Sequence, residues 1–167
     1  MKNACLRGIA LIALIAVLAM ALASCGTSSY SRLGISFEIP SRFEEKAVAG
    51  AKMAFGDDES FIVFNKYTET ELASIGVENL DVKEYTEYFL EKSQIGVEDV
   101  VYDTSGLRAA FTYVVSDPEV KDVYYFYSVV ILKGTGCIWA VQMACYADLM
   151  YEYMPEFEKW AASLKAD

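Results

Sequence analysis

The sequence predicts an α+β fold: an antiparallel sheet covered by helices on both faces, an α/β/α sandwich. Three observations predict it. Apolar runs of strand length, bounded by turn residues, crowd residues 34–67 and again 97–145. Helical spacings with capping signals fall between and after these blocks, which favours an antiparallel sheet with separate helices. The stretch "DVYYFYSVVIL", 122–132, is apolar on both faces. Val123, Tyr125, Tyr127, Val129 and Ile131 alternate with Tyr124, Phe126, Ser128, Val130 and Leu132, and such a strand belongs mid-sheet with cover on each side.

The elements follow in order. "LGISFEIP" sets apolar Ile35, Phe37 and Ile39 among polar neighbours until Pro40 stops it, as in a half-buried strand. "AKMAFG" and "SFIVFNKY" are two more strands, joined by a hairpin turn at Gly56-Asp57-Asp58. Thr68 and Glu71 have the spacing of a capping box, opening a short helix that stops at Gly76. Asp81 and Glu84 open a second, with Val82, Tyr85 and Phe89 on one face, ending before Gly96. "VEDVVYD" and "GLRAAFTYVV" are strands, the latter closed by the turn "SDPE". Strands 122–132 and 137–145 flank "KGTG" as a long hairpin. A short turn at 148–153 precedes a last helix. Pro155 suits its first turn, and Phe157, Trp160, Ala161 and Leu164 follow at helical spacing.

The amino terminus has a different grammar. Lys2 and Arg7 precede an uncharged apolar run from Gly8 to Ala23, then small residues, the layout of a secretory signal. Leu22-Ala23-Ser24-Cys25 resembles the lipobox of bacterial lipoproteins, in which the cysteine is lipidated and becomes the first residue of the mature chain. The expected organisation is a signal peptide at 1–24, a lipidated Cys25 with a flexible tether to residue 33, and one domain at 34–167. The alternatives are an uncleaved anchor or an ordinary signal cut beside "ALA-S". A diacylglyceryl group brings two chains, enough for stable anchoring. The expected location is therefore extracytoplasmic, held by lipid to a bacterial cell membrane or outer membrane.

Composition bounds the chemistry. Residues 25–167 keep 12 basic residues against all 24 acids, a formal charge of −12, against −10 for the whole chain. Such a domain repels phosphate backbones, so nucleic acid is not an expected partner. There is no histidine, the usual general base and metal ligand at neutral pH. Nucleotide-binding and hydrolase motifs are also lacking. The acids of 57–59 and Asp117, Glu119 and Asp122 do not follow calcium-loop spacing. No metal, cofactor or catalytic residue is expected. Cys137 and Cys145 stand eight positions apart in one strand, roughly 26 Å, too far for a disulfide. They should be free, buried thiols.

The distinctive feature is aromatic. Tyr124, Tyr125, Phe126 and Tyr127, with Tyr151 and Tyr153 ahead of the last helix, form the candidate binding surface. Tyrosine suits interfaces and ligand clefts. The alternative is that these rings pack only as core.

A lipobox followed by "ISFEIPSRF", a central helix, an aromatic hairpin ending "IWAVQMAC" and a closing "MPEFEKWAASL" resembles the PsbP/Mog1-like group of small α/β/α sandwiches, which includes lipoproteins of the DcrB and LpqN kind. The resemblance spans most of residues 34–165 and implies a fold together with a habit, non-catalytic domains that bind or steady partner proteins, often at membranes. It supplies no active-site residues. The functional expectation is a membrane-anchored accessory protein acting through a protein partner. The alternative is a solute-binding lipoprotein with a small apolar, aromatic-lined pocket.

Overall fold

Side-chain alternation along two long strands fixes the layers of this molecule. A computed structural model describes residues 26–97 and 99–167; the signal segment and Cys25 lie outside the described residues. The elements are β1 (Thr27–Arg32), β2 (Ile35–Pro40), β3 (Glu44–Glu45), β4 (Met53–Gly56), β5 (Ser60–Thr68), α1 (Glu69–Ala73), α2 (Val82–Ser93), β6 (Val101–Tyr102), β7 (Arg108–Ser116), β8 (Tyr124–Gly134), β9 (Cys137–Tyr146), a 3-10 turn (Ala147–Leu149), α3 (Met150–Ser163) and β10 (Lys165–Ala166). A seven-stranded sheet runs β3-β4-β5-β9-β8-β7-β6, and a three-stranded sheet runs β1-β2-β10. The pairings are antiparallel throughout.

β8 and β9 sit at the centre, apolar on both sides as a doubly covered strand must be. Phe126, Val130 and Leu132 of β8 join Trp139, Val141 and Met143 of β9 on one face. That face is covered by α3, through Tyr153, Phe157 and Trp160, and beside it by Ile35, Phe37 and Ile39 of β2. Val129, Ile131, Ile138 and Ala140 point the other way, beneath Leu72 of α1 and Val82 and Tyr85 of α2. The fold is therefore the α+β sandwich the sequence predicts, with a small second sheet beside α3.

The caps form largely as read. Thr68 Oγ1 accepts from the Glu71 amide while Glu71 Oε2 accepts from the Thr68 amide at 2.7 Å, a complete capping box. Asp81 caps α2 by accepting from the amides of Lys83 and Glu84, but the Glu84 carboxylate takes the Glu78 amide instead of the cap residue's own. Cys137 and Cys145 stand at the two ends of β9, buried and unbridged.

Several expectations are corrected. Residues 27–32 are not a flexible tether: they form β1, paired with β2 along its length. Tyr30 explains this, because its ring stacks on Phe37 at 5.3 Å and meets Phe55 at 4.9 Å. Pro155 lies inside α3, not in its first turn. The helix begins at Met150 because Tyr153, Phe157 and Trp160 make one buried stripe. Burying Tyr153 with that stripe offsets the hydrogen bond that proline cannot donate. The strand expected at 97–103 shrinks to Val101–Tyr102, both exposed. β3 and β10, each two residues long, pair only at sheet margins and carry no periodicity from which to read them.

Candidate functional site

Among the described residues, the same alternation that builds the core leaves half of one sheet face without a helix. On the side facing α2, cross-strand pairing places Phe61, Ala144, Tyr127 and Tyr113 in one row. Tyr146, Tyr125 and Val115 form the next. Tyr113 and Tyr127 stack at 4.9 Å and 6° between planes. Phe61 meets Tyr127 edge-on at 6.1 Å, and Tyr125 stacks on Tyr146 at 5.3 Å. Offset and edge-on pairs are the arrangements aromatic rings prefer. Phe61, Tyr113, Tyr125 and Tyr127 are half-buried, and Tyr146 and Val115 are about two-fifths exposed. A shallow cleft of about 270 Å³ runs between Phe61, Val63, Gln142 and Tyr127 on the sheet and Val48, Ala49 and Ala51 of the 46–52 loop.

Alternation divides the six aromatics singled out in the sequence. Tyr125 and Tyr127 lie on this open platform; Tyr124, Phe126, Tyr151 and Tyr153 do not. Phe126 and Tyr153 belong to the core, and the Tyr153 hydroxyl donates to Glu59 Oε2 at 2.9 Å. Tyr124, half exposed, edges a cleft of about 400 Å³ with Asp122, Tyr146 and Asp148. Tyr151 is 82% exposed on α3. It stands at the rim of a cleft of about 720 Å³, with Phe126, Thr112, Val114, Met150 and Met154. Each of these clefts opens broadly to solvent.

Electrostatics keep the platform neutral. Burial pushes the Tyr127 hydroxyl up from its ordinary value, and the charge of Asp117 adds to the effect. Tyr125 moves the same way, through partial desolvation first and then its neighbours Tyr146 and Asp117. Both stay protonated across the physiological range, able to donate and accept. Two of the acids considered as calcium ligands, Asp57 and Asp117, are engaged in turns. Asp57 Oδ1 accepts from the amides of Ser60 at 2.8 Å and Glu59 at 3.1 Å, while its Oδ2 takes Arg42 Nε at 2.7 Å. Asp117 Oδ1 accepts from the amides of Glu119 and Val120.

With this geometry in place, comparison with known proteins bears on the fold. No protein-family model matches the sequence, and no curated protein does. Among solved structures, the chain is similar to the Ran-binding protein Mog1p of Saccharomyces cerevisiae. The TM-score is 0.58 at 10% identity, over 86% of this chain and 96% of that one. It is also similar to cyanobacterial PsbP (CyanoP) from Synechocystis sp. PCC 6803, with TM-score 0.53 and 13% identity over 86% and 98% of the chains. The fold is PsbP/Mog1-like. A Bacteroides thetaiotaomicron protein matches too, with TM-score 0.55 and 12% identity over 86% of this chain and 49% of its own. At such identities the likeness is one of backbone architecture.

Several platform residues escaped the sequence reading: Phe61, Tyr113, Gln142 and Tyr146. Their only signal is parity. They share a face with Tyr125 and Tyr127 once the strand order is known, and that order is not written in any local pattern.

Proposed function

We propose that this chain is a non-catalytic accessory protein, anchored to an envelope membrane by lipid on Cys25, that binds a protein partner through the aromatic platform on its sheet. The observation that carries the reading is the uncovered half-face with Tyr113, Tyr127, Tyr125 and Tyr146 in stacked pairs. Rings that are ordered by one another, neutral and half-exposed supply contact area at little entropic cost, which is what interface hot spots use. An exposed apolar patch of this kind on an otherwise acidic domain marks an interaction surface. The PsbP/Mog1-like fold supports the reading by analogy: Mog1p is a Ran-binding protein, so this architecture does serve protein recognition.

β1 begins close behind the proposed lipid site. Only Gly26 separates Cys25 from Thr27, the first residue of β1, and the Gly26 carbonyl accepts from the Ser41 amide at 2.8 Å. A lipid on Cys25 would hold the domain within a few ångströms of the bilayer surface. The partner is then a membrane protein or the membrane-proximal part of one. The solute-binding alternative gains no comparable observation, since the aromatic clefts are open rather than enclosing.

The test is chemical crosslinking in intact cells. Wild-type protein is expected in the membrane fraction, with one membrane protein captured reproducibly. Cys25→Ala should leave the domain folded, release it from the membrane and lose the capture. Tyr125→Ser with Tyr146→Ser should stay on the membrane and lose the capture. A Cys25→Ala protein still bound to membranes would overturn the anchor. Undiminished capture by the double tyrosine variant would overturn the platform.

A further inference from the structure

Among the described residues, the seven-stranded sheet ends in a margin that is left open. β7 pairs with β8 over all of Arg108–Ser116 but with β6 only at Ala109 and Ala110. The Lys133 amide donates to Leu107 O and the Asp117 amide to Val123 O, which sets the odd-numbered residues of β7 as those bonded to β8. Thr112 and Val114 therefore direct their N–H and C=O groups away from the sheet. Among the described residues no backbone group meets them. Unpaired strand edges invite pairing, and proteins usually blunt them with lysine, proline or a bulge. Here the register is unbroken. The edge side chains are Thr112, Val114, Val115 and Ser116, all exposed and none charged.

We propose that this edge is a strand-docking site for an extended segment of a protein partner, apolar at alternate positions and basic at its ends. It rests on the reading of the chain as a binding protein, but it uses the backbone edge of β7 beside the platform. The free stretch, 111–116, is about 20 Å long, a typical strand length. A strand added there would point one set of side chains into the 720 Å³ cleft, against Val114, Met150, Tyr151 and Met154. The other set would extend the row of Tyr113 and Tyr127. Backbone bonds with alternate side-chain pockets are how β-augmentation obtains affinity and specificity.

Charge selects the occupant. Asp103 lies opposite Arg108 and Asp99 lines the cleft beside Thr112, at one end of the free stretch, while Asp117 and Glu119 follow its other end. The Asp103 carboxyl, bonded to the Ser105 hydroxyl and the amides of Leu107 and Arg108, stays charged, as does that of Asp117. Of the cations nearby, Arg108 donates to Ala161 O, and the exposed Lys121 is outnumbered at its end by Asp117, Glu119 and Asp122. A second copy of this chain would bring the same acids to the same edge. A basic-ended segment is attracted instead.

The probe is a short synthetic peptide of alternating valine and threonine with a lysine at each end, added to the full-length protein in detergent. Amide exchange at Thr112 and Val114 should slow by about tenfold at saturation, the effect of one well-made hydrogen bond each. Val114→Pro removes an N–H that bonds none of the described residues, so the ladder to β8 is kept while docking is lost. Thr112→Lys, at an exposed position, should weaken peptide binding by about tenfold through like charge, and it decides the matter should the proline variant not fold. Tyr146→Ser should leave peptide binding unchanged, which separates this edge from the platform. The proposal is overturned if the peptide fails to slow these amides, if binding survives Thr112→Lys, or if a glutamate-ended peptide binds as well. Slowing with protein concentration alone, without peptide, would also overturn it by making a second copy the occupant.

Discussion

Leu33 holds a φ of 59° beside Gly34 at 90°, so the two-residue turn between β1 and β2 needs left-handed backbone at both positions. Glycine adopts it freely, whereas leucine is strained there by about 1 kcal/mol. Leu33 is 56% exposed and its carbonyl accepts from Lys66 Nζ at 2.7 Å, so the side chain contributes little that offsets the strain. Leu33→Asn should raise stability by about 0.5–1 kcal/mol, read as a higher urea midpoint at unchanged slope. This turn also explains one illegible residue range. Asn-Gly would have announced a hairpin, whereas Leu-Gly after a serine-rich run does not. Cys137 and Cys145 were legible, because strand spacing alone forbids their bridge. Asp57 gives a prediction with a sign. Partial burial opposes its charge, but bonds from Arg42 and from the Ser60 and Glu59 amides outweigh this and hold the carboxyl below its ordinary value. A depressed folded-state value means that the stabilisation is full above the unfolded value of about 3.9 and fades as pH falls through the lower, folded one. Asp57→Ala should cost about 2 kcal/mol at pH 7, and urea melts should find that gap narrowing below pH 4.

At the scale of elements, both helix starts on the α2 side are written in the sequence, because capping is a local chemistry of three or four residues. Thr68→Ala removes the hydroxyl that accepts from the Glu71 amide, while the backbone amide at 68 keeps its bond to the Glu71 carboxylate, and should cost about 1 kcal/mol. The long hairpin of β8 and β9 was equally legible, since two faces of unbroken apolar character can lie only at the centre of a covered sheet. The start of α3 was not. Proline favours a first turn, but Tyr153 is two residues upstream and buried, and tertiary packing carried the helix past the proline's local preference. The candidate surface was half legible for a related reason. Period-two alternation correctly separated Tyr125 and Tyr127 from Tyr124 and Phe126. Which face stays uncovered depends on how far α2 reaches across the sheet, and no local pattern in the sequence states that. Tyr113 and Phe61 therefore joined the platform only through strand order.

For the whole molecule, one face of the main sheet is covered at its centre by α3 and β2, and the described residues cover the other only beneath α1 and α2. On the proposed reading, lipid on Cys25, one glycine ahead of β1, holds the domain close to a membrane and presents the aromatic half-face to a neighbour. The measurement that tests this most directly is site-resolved photocrosslinking in cells. A photoreactive phenylalanine analogue is placed at Tyr146 on the platform or at Glu158, exposed on α3 of the opposite layer. The account predicts that the Tyr146 position captures a discrete membrane protein and that the Glu158 position does not. Equal capture from both positions, or none from Tyr146 in protein confirmed to be folded and membrane-bound, would contradict it.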